Sequence, residues 1–205
     1  MRTAKCIVLI IILISCSMTL PAQDSSKLYF TTAAGVFVPR STFAHAYQNS
    51  VAINSGIEYR FRKYYFTQFV LDFNAVKYNQ QIKDIHSDYL FQHTNSSVFL
   101  IGFNVGRNIA IIKSDKLFLS PYVGVGYANI GEPRLTVNSA TGIVLQEVTR
   151  MQGVYLKEGL RFGFNTSSKV LQTLYIDAAF WSANIEVQNS KPKALSVVIG
   201  TRVGF

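Results

Sequence analysis

The chain has 205 residues, 49% of them apolar and 15% charged, with a formal net charge of +9. This length suits one domain with a full core, and the composition fits neither disorder nor low complexity. A mean hydropathy of +0.20 is greasy for a soluble domain, and basic residues scattered without a Lys/Arg run exclude an evident nucleic-acid surface.

A membrane-spanning helix needs about 20 consecutive apolar residues, whereas the one unbroken apolar run, Ile7 to Ile14, stops at 8. Behind Arg2 and Lys5 it reads as the core of a secretory signal, followed by Ser15 to Pro21 and a cut after Ala22. Residues 1–22 are therefore expected to be removed as a signal peptide, leaving 23–205 as one domain that begins at Gln23. Leu13, Ile14, Ser15 and Cys16 also fit a lipobox, with Cys16 lipidated; the Pro-Ala-Gln exit at 21–23 favours the first route. Both cysteines, Cys6 and Cys16, lie in this segment, so cleavage after Ala22 excludes disulfides and thiol-bound metals. Losing Arg2 and Lys5 with it lowers the formal charge from +9 to +7.

From residue 27 onward the chain repeats about ten residues of apolar and polar alternation followed by a turn or loop. Val51, Ile53, Ile57, Tyr59 and Phe61 oppose Asn54, Gly56, Glu58, Arg60 and Arg62; Tyr65, Phe69, Leu71 and Phe73 oppose Gln68, Asp72 and Asn74. Phe99, Ile101, Phe103 and Val105 oppose Gly102, Asn104 and Gly106, and Leu119, Val123, Val125 and Tyr127 oppose Ser120, Tyr122, Gly124 and Gly126. Leu174, Ile176, Ala178 and Phe180 oppose Tyr175, Asp177 and Trp181. The last strand sets Leu195, Val197, Ile199, Thr201, Val203 and Phe205 against Ser196, Val198, Gly200, Arg202 and Gly204. A period of two is a strand with two unlike faces.

Eight strands are expected, near 27–38, 51–62, 64–76, 96–109, 117–130, 151–165, 172–185 and 195–205. An even number allows closure with both termini on one side. Long connections (39–50, 77–95, 131–150 and 186–194) alternate with short turns near Lys63, Ser114 and Ser167, which places the long ones outside the cell. A soluble barrel or sandwich alternates in the same way. The charges discriminate: Glu58, Arg60, Arg62, Asp72, Lys157, Arg161, Asp177 and Arg202 share the polar face, while the other face is nearly free of charge. The fold class expected is an all-β, eight-stranded antiparallel transmembrane up-and-down barrel. Its lumen is just wide enough to be filled by side chains, here by an ion-pair network of Glu58, Arg60, Asp72, Arg161, Asp177 and Arg202 with Tyr122, Tyr175 and Trp181.

Gly-Phe-Asn-Val-Gly at 102–106, Pro-Tyr-Val-Gly-Val-Gly-Tyr at 121–127, Gly-Leu-Arg-Phe-Gly-Phe at 159–164 and the terminal Arg-Val-Gly-Phe carry a resemblance. The chain resembles the small outer-membrane β-barrel proteins of Bacteroidota, which share architecture with the OmpA transmembrane domain and include PorT-like proteins. The resemblance covers essentially the whole mature chain. It implies a bacterial outer-membrane location, insertion by the BAM machinery through a terminal strand whose signal is Val203 and Phe205, and no catalytic residues.

Asp84, His86, Asp88 and His93 are spaced too loosely for a compact metal motif, and no cofactor is expected. His93 also invites comparison with barrel lipid A deacylases, in which a histidine and a serine two apart share a strand. Here Asn95 occupies the serine position, Ser97 lies about 13 Å along the strand, and the carboxylate of the same outward parity, Glu158, is on the sixth strand rather than one adjacent to the fourth. An enzyme is not expected. Glu158 falls on the lipid-facing parity, where an acid is costly, so either a bulge near Gly159 turns it inward or it meets a partner; the bulge is the expectation. The function expected is structural or interactive. Loops 77–95 and 131–150 would meet protein partners or lipopolysaccharide, with Tyr47, Tyr89 and Phe91 as aromatic anchors or girdle residues. A PorT-like secretion accessory and a narrow pore are the alternatives.

Overall fold

The computed structural model describes residues 27–62, 64–81, 90–111, 116–166, 170–187 and 191–204. The expected signal peptide 1–22 and Phe205 lie outside these residues. These described residues are all-β apart from one helical turn: β1 (Lys27–Arg40), α1 (Phe43–Ala46), β2 (Ser50–Phe61), β3 (Tyr65–Gln81), β4 (Leu90–Arg107), β5 (Ile109–Ala110), β6 (Leu117–Asn138), β7 (Ile143–Asn165), β8 (Leu171–Ala183) and β9 (Lys193–Gly204). Each strand pairs antiparallel with its sequence neighbour, β5 continues β4 against β6, and β1 pairs with β9 to close the ring.

The register fixes the barrel's shape. Leu28 pairs with Tyr59, and the row continues through Thr67, Val105, Val123, Glu158, Phe180 and Leu195 to return on β1 at Val38, ten residues further along. Such a stagger requires the strands to tilt by about 35–45° from the axis.

The two faces sort as the alternation predicts. Outward positions such as Val51, Phe103, Val125, Leu156, Ile176 and Ile199 are exposed, while Glu58, Asp72, Lys157, Arg161, Asp177 and Arg202 are buried inside the ring. Inward glycines make room for rings: a Cβ on Gly159 would lie 2.2 Å from the Tyr122 ring, and one on Gly163 would lie 2.1 Å from Phe118.

Several expectations are corrected. Residues 77–81, 90–95 and 131–150 are not irregular loops, since β3 runs to Gln81, β4 starts at Leu90, and β6 and β7 form one hairpin with a turn at 139–142. Gly131 and Pro133 look like strand breakers, but β6 has no partner on its β4 side beyond Ile130, and an edge strand tolerates proline. Connection 39–50 does not project; α1 folds into the mouth, burying Phe43, Ala46 and Tyr47. Tyr47 is thus neither an exposed anchor nor a girdle residue, Phe91 packs 6.4 Å from Tyr78, and Tyr89 lies outside the described residues. Arg62 is exposed in a turn with φ 48°, away from the lumen face. No bulge turns Glu158 inward: Val123↔Glu158↔Phe180 sits in an unbroken register, with the side chain exposed.

If the outer face meets hydrocarbon, Ile199→Arg, half-way up the wall, should lower unfolding stability in lipid vesicles by about 2–4 kcal/mol. Urea titration checks it. At an exposed site in water the same change stays within about 0.5 kcal/mol.

Candidate functional site

The lumen is built in two layers. Toward the rim that carries the termini, Glu58 of β2 receives three guanidinium groups: Arg161 from β7 at 2.9 Å, Arg202 from β9 at 2.9 Å and Arg60 from its own strand at 3.1 Å. Arg161 also donates to Asp177 at 3.1 Å and to Gln68 at 3.1 Å, while Tyr122 Oη donates to Asp177 at 2.8 Å. Aromatic faces complete the cage. Arg161 lies 4.5 Å from the Tyr175 ring centroid, Arg60 lies 5.0 Å from Tyr29, and Arg202 lies 5.5 Å from Tyr29 and from Phe118. Burying such charges is tolerable only when they are paired and hydrogen-bonded.

The six residues singled out from sequence all point inward, but not into one cluster. Asp72 stands one level higher, where Lys157 donates to it at 2.6 Å and Asn54 also donates to it. Lys157 was visible on the polar face yet had no assigned partner. Its pairing depends on register between β3 and β7, which are not neighbours in the sheet. Gln68, also on the polar face, gains Arg161 in the same way, and sequence does not single out Tyr29, Phe66 and Phe118 because ring closure alone brings them to cations from other strands.

Trp181 is not part of the ionic layer. It stacks 6.1 Å from Phe37 and meets Phe43 at 6.3 Å and Tyr155 at 6.5 Å, forming an apolar layer at the hairpin rim. α1 closes this layer from above, pinned by Tyr47 Oη donating to the Gly131 carbonyl at 2.8 Å. Burial raises the Tyr47 phenol above its ordinary range, and nearby Glu132 adds to the effect, so it stays a neutral donor. The space between the layers is a cavity of about 20 Å³, room for about one water.

Above the mouth, β6 and β7 continue as a ribbon. Gly131–Asn138 pairs only with Ile143–Arg150, because β4 leaves β6 after Ile130 and β8 joins β7 only at Tyr155. Eight residues per strand carry the tip about 27 Å further. Residues 138–150 are all exposed, Ile143, Val144, Leu145 and Val148 among them.

The other candidates do not assemble. His93 is exposed on β4 at φ 61°, and Ser97 Oγ accepts a hydrogen bond from Arg150 at 2.9 Å rather than from a histidine. Glu158 belongs to β7, which does not pair with β4. Asp84, His86 and Asp88 lie outside the described residues, and among the described residues no three metal-ligating side chains converge. Val203 faces outward near the end of β9.

No family model and no curated protein sequence matches the chain. Among solved structures it is similar to Neisserial surface protein A, with a TM-score of 0.55 at 13% identity over 89% of this chain and 100% of that one. The chain has the fold of a small outer-membrane β-barrel. Two further similar structures are the N-terminal barrel domain of OprF from Pseudomonas aeruginosa (TM-score 0.47, 10% identity, 87% of this chain, 99% of that one) and Ail from Yersinia pestis (TM-score 0.44, 14% identity, 88% of this chain, 97% of that one). An apolar outer wall around a closed antiparallel ring is how chains cross a bacterial outer membrane with strands, and that membrane is where this barrel resides.

Glu58 holds three cations, so Glu58→Gln should cost about 3–5 kcal/mol by leaving buried guanidinium groups uncompensated. Equilibrium unfolding of the refolded variant in vesicles measures it.

Proposed function

We propose that the protein is a non-catalytic membrane anchor whose closed barrel displays the β6–β7 ribbon outside the cell to a protein partner. The ribbon carries the reading: beyond a base where Gly131, Glu132, Pro133 and Leu135 are buried, the hairpin is exposed from Asn138 to Arg150 and partly apolar, and an exposed strand edge is a template for pairing with another chain. The filled lumen favours an anchor over a diffusion pore. The scattered His93, Ser97 and Glu158 favour no lipid A hydrolysis.

Lipopolysaccharide is the lipid partner in this reading. Arg40, Lys77, Arg150 and Lys193 are all exposed on outward positions just beyond the apolar wall at the hairpin rim. Arg40 and Lys193 stand directly opposite each other on paired strands. Like charges so placed repel unless an anion lies between them, and lipid A phosphates supply one at that height. Insertion by the BAM machinery through β9 and the Val203–Phe205 end belongs to the same proposal. A PorT-like secretion accessory would use the same ribbon, and differs in predicting a secretion defect on deletion.

Planar-bilayer recording of the folded protein should show no steady conductance, and an open channel would refute the closed anchor. Replacing residues 133–148 by a two-residue turn should preserve heat-modifiable migration while abolishing recovery of a specific envelope partner. A pull-down identical to that of the full chain would refute the ribbon's role.

A further inference from the structure

Every strand offers its outward side chains to hydrocarbon. The terminus rim is marked by aromatic stacking of Phe61 with Tyr59 at 6.2 Å and with Tyr65 at 6.0 Å, and by Arg107 over Tyr65 at 5.5 Å. The hairpin rim is marked by Arg40, Lys77 and Lys193. Among the described residues, one outward position between these rims is charged: Glu158.

Its depth follows from the register. The row from Leu28 to Val38 climbs the whole apolar wall in eight strand-to-strand steps, and Glu158 is reached at the fifth. In a belt about 25 Å tall this sets Glu158 about 15 Å above Leu28 and about 10 Å below Val38. A glutamate side chain is too short to reach the headgroups from there. Among the described residues no hydrogen bond or ion pair satisfies it: Val123 and Phe180 flank it, and the basic side chain of the neighbouring Lys157 points into the lumen toward Asp72. Beside it the wall has an open depression lined by Val123, Leu156, Lys157, Phe180 and Ser182.

An ionisable group at this depth marks a site whose partner lies outside the chain. The partner's chemistry is constrained. A carboxylate in hydrocarbon needs a cation or strong donor, and the indentation offers room for a long side chain beside Glu158 and the Ser182 hydroxyl. A second copy of this chain would bring another acid and no base to the same depth. Lipid phosphates lie too high and carry the wrong charge. We propose that the outer face of β7 around Glu158 is a lateral contact within the membrane for a different spanning protein that sets a lysine or arginine side chain at this depth. This contact is separate from the displayed ribbon and stands or falls independently of it.

The test uses the full chain in its native envelope, with a photoreactive benzoylphenylalanine at Ser182 and, as control, at Ile53 on β2. Illumination should join position 182, and not position 53, to a membrane-spanning protein whose cross-linked peptide contains lysine or arginine. The adduct should fall at least tenfold in Glu158→Gln, persist in Lys116→Gln at the opposite rim, and return when Glu158→Lys is combined with glutamate at the partner's basic position. Adducts with lipid alone, with another copy, or with a peptide lacking a basic residue would overturn the proposal. So would no adduct, or one that Glu158→Gln leaves unchanged or Lys116→Gln removes. Heat-modifiable migration confirms that each variant is folded. In partner-free phospholipid vesicles, Glu158→Leu should raise the urea midpoint; a lower midpoint would make Glu158 a structural part of the wall and overturn its role as a contact.

Discussion

In hydrocarbon, a backbone N–H or C=O left without a partner costs several kcal/mol, because no water is present to replace the missing bond. The pairing of β1 with β9 removes the last free edges from the membrane-spanning part of the sheet. The other features of the molecule follow from that closure. A ring of eight long strands has a narrow interior, and the stagger of ten residues sets both its tilt and the side chains that share each level.

Closure then forces the lumen to solve an electrostatic problem. Among the described residues the linked ionic groups of the lumen are three carboxylates, Glu58, Asp72 and Asp177, and four cations, Arg60, Lys157, Arg161 and Arg202, with buried Glu132 and its half-exposed partner Arg134 apart from them near the mouth. The arrangement avoids isolated charge by sharing. Glu58 serves three guanidinium groups, Asp177 is divided between Arg161 and Tyr122, and the planar cations lie against aromatic rings. Arginine suits this use because its fork bonds several acceptors while its faces stack. The apolar layer around Trp181 and the inserted α1 seal the end that the ionic layer does not reach.

Where the ring's constraint ends, the chain behaves differently. β6 and β7 keep pairing beyond their outer neighbours because a two-stranded ribbon satisfies one edge of each strand; the Gly131 carbonyl on the other edge is met by Tyr47, and past the buried base the outer edges are left to solvent. Such edges could not survive within hydrocarbon; outside it they are available for recognition. The lipid-facing wall carries its own exception at Glu158, and neither exception serves closure.

Much of the barrel is legible in the sequence, because alternation with period two and the sign of each face are local properties. Val51 to Phe61 and Leu195 to Val203 show which side meets lipid, and the buried side of the same strands shows where the ions lie. Strand ends were less legible where the context changes: Gly131 and Pro133 look like stops unless it is known that β6 has a free edge there. Tyr47 reads as a loop residue, and only packing against Tyr78 and the Gly131 carbonyl draws it into the mouth.

By itself the sequence determined the number of strands, the side each presents and the inventory of buried charge, since these depend on neighbouring residues alone. Tertiary structure decided which charges meet, that Lys157 takes Asp72 while Arg161 and Arg202 take Glu58, and that Glu158 remains facing outward. Those outcomes depend on the stagger accumulated around a closed ring, a sum over all eight pairings that no single strand contains.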